Sequence, residues 1–183
     1  MTALTPANQL TLLRMFLIPV FALAVVYGYT GSALVIFIVA GLTDALDGII
    51  ARRSGQKTTL GAWLDPLADK LLMATTFVVL TLPLEHLVNR IPLWLTVMVI
   101  GRDVGIVATV AVVNLAVGRR TFMPSVFGKA ATAAYVCTGA MALLANWTGR
   151  ASSLVPVLVY TSGALTVISG LHYISRVTKA GDS

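Results

Sequence analysis

Two short stretches, DALDGIIAR at residues 44–52 and GAWLDPLAD at residues 61–69, hold four of the seven acidic side chains in this 183-residue chain. These four are Asp44, Asp47, Asp65 and Asp69. A carboxylate near hydrocarbon is costly unless it is paired, bound to a metal or facing water. Their concentration in one window of an apolar sequence therefore predicts a functional site.

The composition outside this window is that of a membrane protein. Hydrophobic residues make up 57% of the chain and charged residues 11%, against about 25% charged residues in soluble domains. The apolar runs are continuous and about 20 residues long, the length of a spanning helix. We therefore expect an all-α, polytopic membrane protein forming a single domain over residues 1–183.

The sequence divides into six apolar segments, each predicted to be a transmembrane helix. They run from about Leu10 to Gly28, Ser32 to Arg52, Leu60 to Leu82, Pro92 to Val117, Ser125 to Trp147 and Leu154 to Arg176. An even number of spans puts both termini on the same side of the membrane.

The basic residues indicate which side that is. Most of the 13 Lys and Arg residues fall at or near the side shared by the termini, and only Arg90 and Arg150 fall in the opposite loops. Short cytoplasmic loops collect Lys and Arg. Both termini and the aspartate window are therefore expected to be cytoplasmic. The net charge of +6 suits anionic membrane lipids, and no nucleic-acid partner is expected.

The spacing of the aspartates predicts two pairs on two helices. Asp44 and Asp47 are three residues apart near the end of the second segment, and Asp65 and Asp69 are four apart at the start of the third. Residues at these spacings share a helix face, so a hairpin can bring the four carboxylates together. Oxygen-rich clusters suit hard cations, Mg²⁺ above all, with Mn²⁺ or Ca²⁺ as alternatives.

The residues between the aspartates favour a phosphate next to this metal. Gly48 and Gly61 lack side chains and allow a ligand or a helix to approach closely. Ala51 keeps the same face small, and Arg52 supplies a cation suited to phosphate. Together these residues predict a metal–phosphate site.

Two alternative interpretations compete with a metal–phosphate site. The carboxylates can form helix-end salt bridges with Lys57, Lys70, Arg52 and Arg53. Alternatively, intramembrane carboxylates can belong to a proton or metal-ion transporter. Neither alternative gives Gly48 and Gly61 a role.

The complete pattern, D-x-x-D-G-x-x-A-R-x8-G-x3-D-x3-D, resembles the signature of the CDP-alcohol phosphotransferases, and every defining position is present. Weaker flanking motifs resemble the branch of phosphatidylglycerophosphate synthases and CDP-alcohol-type cardiolipin synthases. They are PANQLT at residues 6–11 with Arg14, Gly101-Arg102-Asp103, and Ser125 with Gly128-Lys129. The resemblance thus covers most of the chain.

This resemblance implies a six-helix fold, usually homodimeric, with a cytoplasm-facing cavity for CDP-diacylglycerol. An acceptor hydroxyl attacks the phosphorus attached to diacylglycerol, and CMP leaves. By position, Asp44, Asp47 and Asp65 would ligate a pair of Mg²⁺ or Mn²⁺ ions, with Asp69 at its edge and also the candidate catalytic base. The residues implied to contact the CDP portion are Gly48, Arg52 and Gly61, beside Ala51, with Asn8 helping to hold the nucleotide.

An acceptor that carries phosphate needs cations outside the signature. The candidates are Arg102, Lys129 and Arg119, with its neighbour Arg120. Each has a structural alternative: an ion pair of Arg102 with Asp103 or a signature aspartate, an interfacial position for Lys129, and a cytoplasmic-loop role for Arg119. These cations favour glycerol 3-phosphate as acceptor, giving phosphatidylglycerophosphate. Phosphatidylglycerol as acceptor, giving cardiolipin, is the alternative.

Overall fold

The computed structural model consists of six α-helices. It describes residues 6–54, 59–117 and 126–181, with side chains throughout these ranges except at 6–8, 44–54, 59–63, 65, 110–117, 174 and 176–181. The helices are α1 (Pro6–Val26), α2 (Thr30–Ser54), α3 (Thr59–Thr81), α4 (Leu93–Val117), α5 (Val126–Trp147) and α6 (Leu154–Gly181). The all-α prediction and its six segments are confirmed, with boundaries shifted by a few residues.

The aspartates lie in their helices close to where the sequence places them. Because α2 continues to Ser54 and α3 begins at Thr59, Asp47 is roughly 10 Å from the end of α2 and Asp69 roughly 15 Å from the start of α3, at about 1.5 Å per residue. The observed ends differ from the predicted Arg52 and Leu60 by two residues and one residue, so the predicted order of helix, connection and helix around the aspartates is confirmed. The helix extends through residues 49–53 since Ile, Ala and Arg tolerate or favour helix and no proline interrupts them.

Three connections meet at one end of the helix bundle, which we call the loop face (residues 27–29, 82–92 and 148–153). Nε2 of His86 lies 2.8 Å from the carbonyl oxygen of Val25. The backbone N–H of Asn89 donates to Oδ1 of Asn146 at 2.8 Å, and Nδ2 of Asn146 donates to the carbonyl of Asn89 at 3.0 Å. Since α1 ends and α6 begins at this face, the start of α1 and the end of α6 share the opposite end, as the even number of helices predicts.

The helices pack around a core shared by all six. Helix α1 packs against α2 and α3, α5 packs against α2, α3 and α6, and α4 packs against α3 and α6. Aromatic contacts mark the centre, with ring centroids 6.1 Å apart for Phe21 and Phe37 and 5.7 Å for Phe77 and Tyr135. The packing thus brings α1 between the two helices that carry the aspartates.

A row of hydroxyl groups joins α5 to α6. The hydroxyl oxygens of Tyr135 and Thr166 lie 2.6 Å apart, and those of Thr138 and Ser162 lie 2.8 Å apart. Hydrogen bonds of this kind between apolar helices typically stabilise membrane bundles by about 0.6 kcal/mol, up to about 2 kcal/mol. The same face of α6 continues to Ser169, which is also buried.

Three described helices are long and apolar enough to cross a membrane: Gln9–Val26 in α1, Val126–Trp147 in α5 and Leu154–Tyr173 in α6. The outer surface is apolar as well, and Phe16 and Tyr160 are more than two-thirds exposed. In α2 the apolar part is the shorter segment Thr30–Thr43, just before Asp44. Spanning by α2, α3 and α4 stays a prediction.

Candidate active site

Asp69 is the signature carboxylate whose side chain the structure describes. It lies in the middle of α3 and is half-buried. The other predicted metal ligands have a described helical backbone, Asp44 and Asp47 on α2 and Asp65 on α3, but their side chains lie outside the described set. Among described side chains no group of three metal-ligating residues occurs. The four-carboxylate cluster therefore stays a prediction.

The residues predicted to contact the CDP portion lie on three neighbouring helices. Asn8 is at the start of α1, Gly48, Ala51 and Arg52 are in α2, and Gly61 is in α3. Because α1 packs against both α2 and α3, the fold brings these helices together. All five side-chain positions are outside the described set, so their contacts with a ligand stay predictions.

Arg102 is held between two helices. One amino group, Nη1, donates to Oδ1 of Asp103 at 2.9 Å, and the other, Nη2, donates to Oγ of Ser169 on α6 at 2.9 Å. The Arg102 side chain is only 13% exposed. The ion pair with adjacent Asp103, one of the alternatives raised by the sequence, is thus present, and a role for Arg102 towards phosphate stays a prediction.

Asp103 also connects α4 to α3. Its second oxygen, Oδ2, lies 3.6 Å from Nζ of Lys70, the residue that follows Asp69. We call Lys70, Asp103, Arg102 and Ser169 the charged cluster. Lys70 thus has a described pair with Asp103, and a pairing of Lys70 with a signature aspartate stays an alternative.

Three members of the charged cluster, Lys70, Asp103 and Ser169, were not predicted as site residues. Asp103 carried a usable signal, because ionisable residues inside an apolar helix commonly mark functional sites. Ser169 carried none, since serines are common in membrane helices and its partner lies 67 residues away in sequence. Only the packing of α4 on α6 brings the Arg102 and Ser169 side chains together.

The other predicted acceptor cations, Lys129 and Arg119, have no described contact with the charged cluster. Lys129 lies in the first turn of α5 with an exposed side chain, and Arg119 lies outside the described residues. The start of α5 nevertheless packs against α6, as the ring centroids of Phe127 and His172 are 5.1 Å apart. The start of α5, which carries Lys129, therefore contacts α6 at His172, three residues beyond Ser169 of the charged cluster.

An apolar groove runs along the surface where α3 and α4 meet, beside the charged cluster. It has a volume of about 360 Å³, and Lys70 and Asp103 belong to its lining. The rest of the lining is apolar and includes Leu67, Leu71, Met73, Val99, Val104 and Val107. The groove can accommodate a hydrocarbon chain with a polar group near Lys70.

Comparisons with known proteins identify the family. A sequence profile for CDP-alcohol phosphatidyltransferase matches residues 4–169. The chain belongs to this family, which confirms the resemblance seen in the signature and makes the protein a membrane-embedded enzyme. Membership leaves the transporter alternative without support.

Individual relatives carry two different names. The chain is 33% identical over 179 residues, 94% of this chain and 81% of the relative, to a Mycobacterium tuberculosis protein named "Probable phosphatidylglycerophosphate synthase". It is 43% identical over 103 residues to "CDP-diacylglycerol--glycerol-3-phosphate 3-phosphatidyltransferase" from Pseudomonas fluorescens, covering 53% of this chain and 50% of the relative. It is also 43% identical over 107 residues to the human "Cardiolipin synthase (CMP-forming)", covering 58% of this chain and 34% of the relative.

Proposed function

We propose that this protein transfers a phosphatidyl group from CDP-diacylglycerol to glycerol 3-phosphate, forming phosphatidylglycerophosphate and CMP in phospholipid biosynthesis. The acceptor hydroxyl oxygen forms a bond to the phosphorus attached to diacylglycerol. The bond from that phosphorus to the CMP oxygen breaks, and CMP leaves with the bonding electrons.

The observation that carries this proposal is the charge balance next to Asp69. Lys70 and Arg102 supply two positive charges around the single carboxylate of Asp103. These three side chains therefore carry an excess positive charge at the level of the predicted base, which suits an acceptor that brings its own phosphate. The Mycobacterium tuberculosis relative, which matches 94% of this chain, supports the same acceptor.

In this proposal Asp69 accepts the proton of the acceptor hydroxyl, a role that a half-buried carboxylate near the reacting group can fill. Asp44, Asp47 and Asp65, with Asp69 at the edge, hold one or two Mg²⁺ or Mn²⁺ ions, since an all-carboxylate donor set suits hard cations. The ions would supply charge neutralisation at the diphosphate and at the entering and leaving oxygens.

The two substrates are assigned to different parts of the site. Asn8, Gly48, Ala51, Arg52 and Gly61 hold the CDP portion of the donor, where the two glycines allow close approach of the nucleotide. The residues assigned to the acceptor phosphate are Arg102, Lys129 and Arg119. Arg102 is the centre of this second group because its guanidinium is already fixed by two hydrogen bonds.

The proposal includes a membrane orientation and an assembly. All six helices span, and both termini face the cytoplasm of a bacterial cell, because the loop face carries few basic residues and the opposite end carries most of them. The protein forms a homodimer, as the family resemblance implies. Gly101 and Gly105 on α4 have open space beside them, which leaves a helix surface that a second copy can approach closely.

A second candidate acceptor is phosphatidylglycerol, which would make the protein a cardiolipin synthase. Two observations favour it: the groove of about 360 Å³ between α3 and α4, which can hold an acyl chain, and the 43% identity to the human cardiolipin synthase over 107 residues. Both acceptors carry phosphate, so the charged cluster fits either one.

Product analysis separates these candidates. Purified protein in detergent micelles receives CDP-diacylglycerol and Mg²⁺ or Mn²⁺, with glycerol 3-phosphate or phosphatidylglycerol in separate reactions, and mass spectrometry identifies the lipid formed. We expect phosphatidylglycerophosphate. Cardiolipin instead would overturn the acceptor and keep the phosphatidyl transfer, whereas the absence of CMP release with both acceptors would overturn the proposed reaction.

A further inference from the structure

The Arg102 guanidinium is fixed from two sides before any ligand binds. Nη1 is bound to Oδ1 of Asp103 and Nη2 to Oγ of Ser169, each at 2.9 Å. Ser169 is buried on α6, so helix packing limits the space in which its hydroxyl can rotate. Two anchors on two helices leave the guanidinium plane little freedom to rotate.

Asp103 and Ser169 accept hydrogen bonds from only some of the N–H groups of Arg102. A guanidinium has five N–H groups, and Nε of Arg102 is buried without a hydrogen-bond partner among the described residues. A buried donor without a partner costs free energy, more so when it belongs to a charged group. Joining α4 to α6 leaves this Nε donor without a partner, and Nη1 and Nη2 each have one described hydrogen bond, so each amino group keeps a second N–H for an anion.

The carboxylate of Asp103 is shared with a second cation. Its Oδ2 lies 3.6 Å from Nζ of Lys70, and these side chains are 26% and 40% exposed respectively. Asp103 therefore orients Arg102 without neutralising both cations of the cluster. Lys70, Asp103 and Arg102 together therefore keep one net positive charge.

We propose that Ser169 and Asp103 are positioning residues that hold the Arg102 guanidinium in place to bind the phosphate of the acceptor. This inference rests on the proposed function and deepens it, because it names residues outside the signature that determine acceptor affinity. Arginine binds phosphate through parallel N–H groups, and such bonds depend strongly on the orientation of the guanidinium plane. Losing one anchor therefore weakens acceptor binding more than it slows the chemical step.

The chain offers a closely matched pair of serines for the test. Ser162 and Ser169 are both buried on α6, and each bonds one side chain on a neighbouring helix, Thr138 for Ser162 and Arg102 for Ser169. Ser162→Ala and Ser169→Ala remove the same atom from the same helix. Only the second change affects the Arg102 guanidinium.

For Ser169→Ala we expect the KM for glycerol 3-phosphate to rise about tenfold, as for the loss of a hydrogen bond to a charged group. We expect kcat and the KM for CDP-diacylglycerol to change by less than about twofold. Ser162→Ala leaves all three constants unchanged. Ser169→Thr, which keeps a hydroxyl, restores the acceptor KM, and Asp103→Asn, which keeps the shape but not the charge, raises it as Ser169→Ala does.

Ligand-induced stabilisation supplies a readout without turnover. In detergent, glycerol 3-phosphate alone raises the Tm of the wild type and of Ser162→Ala, and fails to raise that of Ser169→Ala at the same concentration. Equal acceptor KM values and equal Tm shifts for the two alanine variants of an active enzyme would overturn this inference alone. A wild type inactive with both glycerol 3-phosphate and phosphatidylglycerol would overturn the proposed function and this inference with it.

Discussion

The loop face and the charged cluster both join helices of the bundle, the first through neutral hydrogen bonds and the second through charged side chains. At the loop face, Asn89 and Asn146 exchange neutral hydrogen bonds of 2.8 and 3.0 Å, and the Asn89 side chain bonds the 148–153 connection as well. At the charged cluster, Lys70, Asp103 and Arg102 combine two cations with one anion, and Nε of Arg102 is buried without a hydrogen-bond partner among the described residues. The loop face is therefore neutral with its amide groups paired, whereas the charged cluster carries a net charge and an unpaired donor, as the proposed binding of a phosphate requires.

The largest expected effect is loss of turnover on changing the base. Asp69→Asn keeps the shape of the side chain but cannot accept the acceptor proton, so kcat should fall by about 10²–10⁴-fold, the contribution typical of a general base. Binding of CDP-diacylglycerol, measured by ligand-induced stabilisation, should largely persist. The control is Glu85→Gln, an exposed acidic residue on the loop face, which should leave kcat unchanged. Near-normal turnover of Asp69→Asn would remove Asp69 from the chemistry.

Removal of divalent cations should separate the two regions by function. Because four carboxylates are predicted to surround the ions, exhaustive chelation should reduce CMP release below detection, and Mg²⁺ or Mn²⁺ should restore it. The described residues of the loop face contain no set of three side chains that could bind a metal ion, so its hydrogen bonds should survive chelation. Undiminished CMP release after chelation would exclude the metal-dependent mechanism.

A substitution at the loop face should lower stability without affecting substrate binding. Asn89→Ala removes a donor to the carbonyl of Arg150 and an acceptor for the N–H of Ser152, bonds of 2.8 and 2.9 Å. Partial replacement by water limits the cost to about 1–3 kcal/mol in the free energy of unfolding. The thermal midpoint in detergent should fall, with the KM for both substrates unchanged at low temperature. Val88→Ala, an exposed neighbour, serves as control, and a change in acceptor KM for Asn89→Ala would contradict the separation.

A smaller effect is expected from helix packing in the half of the bundle near the loop face. A Cβ added at Gly163 would lie 2.8 Å from Cζ3 of Trp94, whose ring stacks on Tyr160 with centroids 6.0 Å apart. Gly163→Ala should therefore destabilise the protein by about 1–3 kcal/mol through overpacking. Gly170, one heptad further along α6, has nothing within 4 Å of an added Cβ. Gly170→Ala should be neutral or slightly stabilising, and equal melting temperatures for both variants would refute this packing.

The sequence predicted the six helices because long apolar segments separated by short polar ones have few alternatives in a membrane. It also raised the ion pair of Arg102 with Asp103, which the structure contains, while the shared face of Asp65 and Asp69 stays a prediction. It did not predict the contacts of Asn89 with Asn146 or of Arg102 with Ser169, which join residues 57 and 67 positions apart. Such pairs depend on helix packing, which local hydropathy does not encode.

The connection between the two aspartate-bearing helices was predicted to within two residues. Residues 52–59 contain two arginines, a lysine and a glycine, and such a composition normally indicates a loop. Helix α2 ends at Ser54 and α3 begins at Thr59, against Arg52 and Leu60 in the prediction. Local composition therefore locates this connection, whereas the distances between side chains on different helices depend on packing.

The central claim is that this protein transfers a phosphatidyl group to an acceptor beside the charged cluster. Its most direct test is the stoichiometry of that reaction. Purified wild-type protein in detergent micelles, given CDP-diacylglycerol, Mg²⁺ and glycerol 3-phosphate, should release one CMP for each phosphatidylglycerophosphate formed, with both products quantified by mass spectrometry. CMP release that needs the acceptor and matches the lipid product one to one would support the account. CMP release that is independent of acceptor, or no release at all, would contradict it.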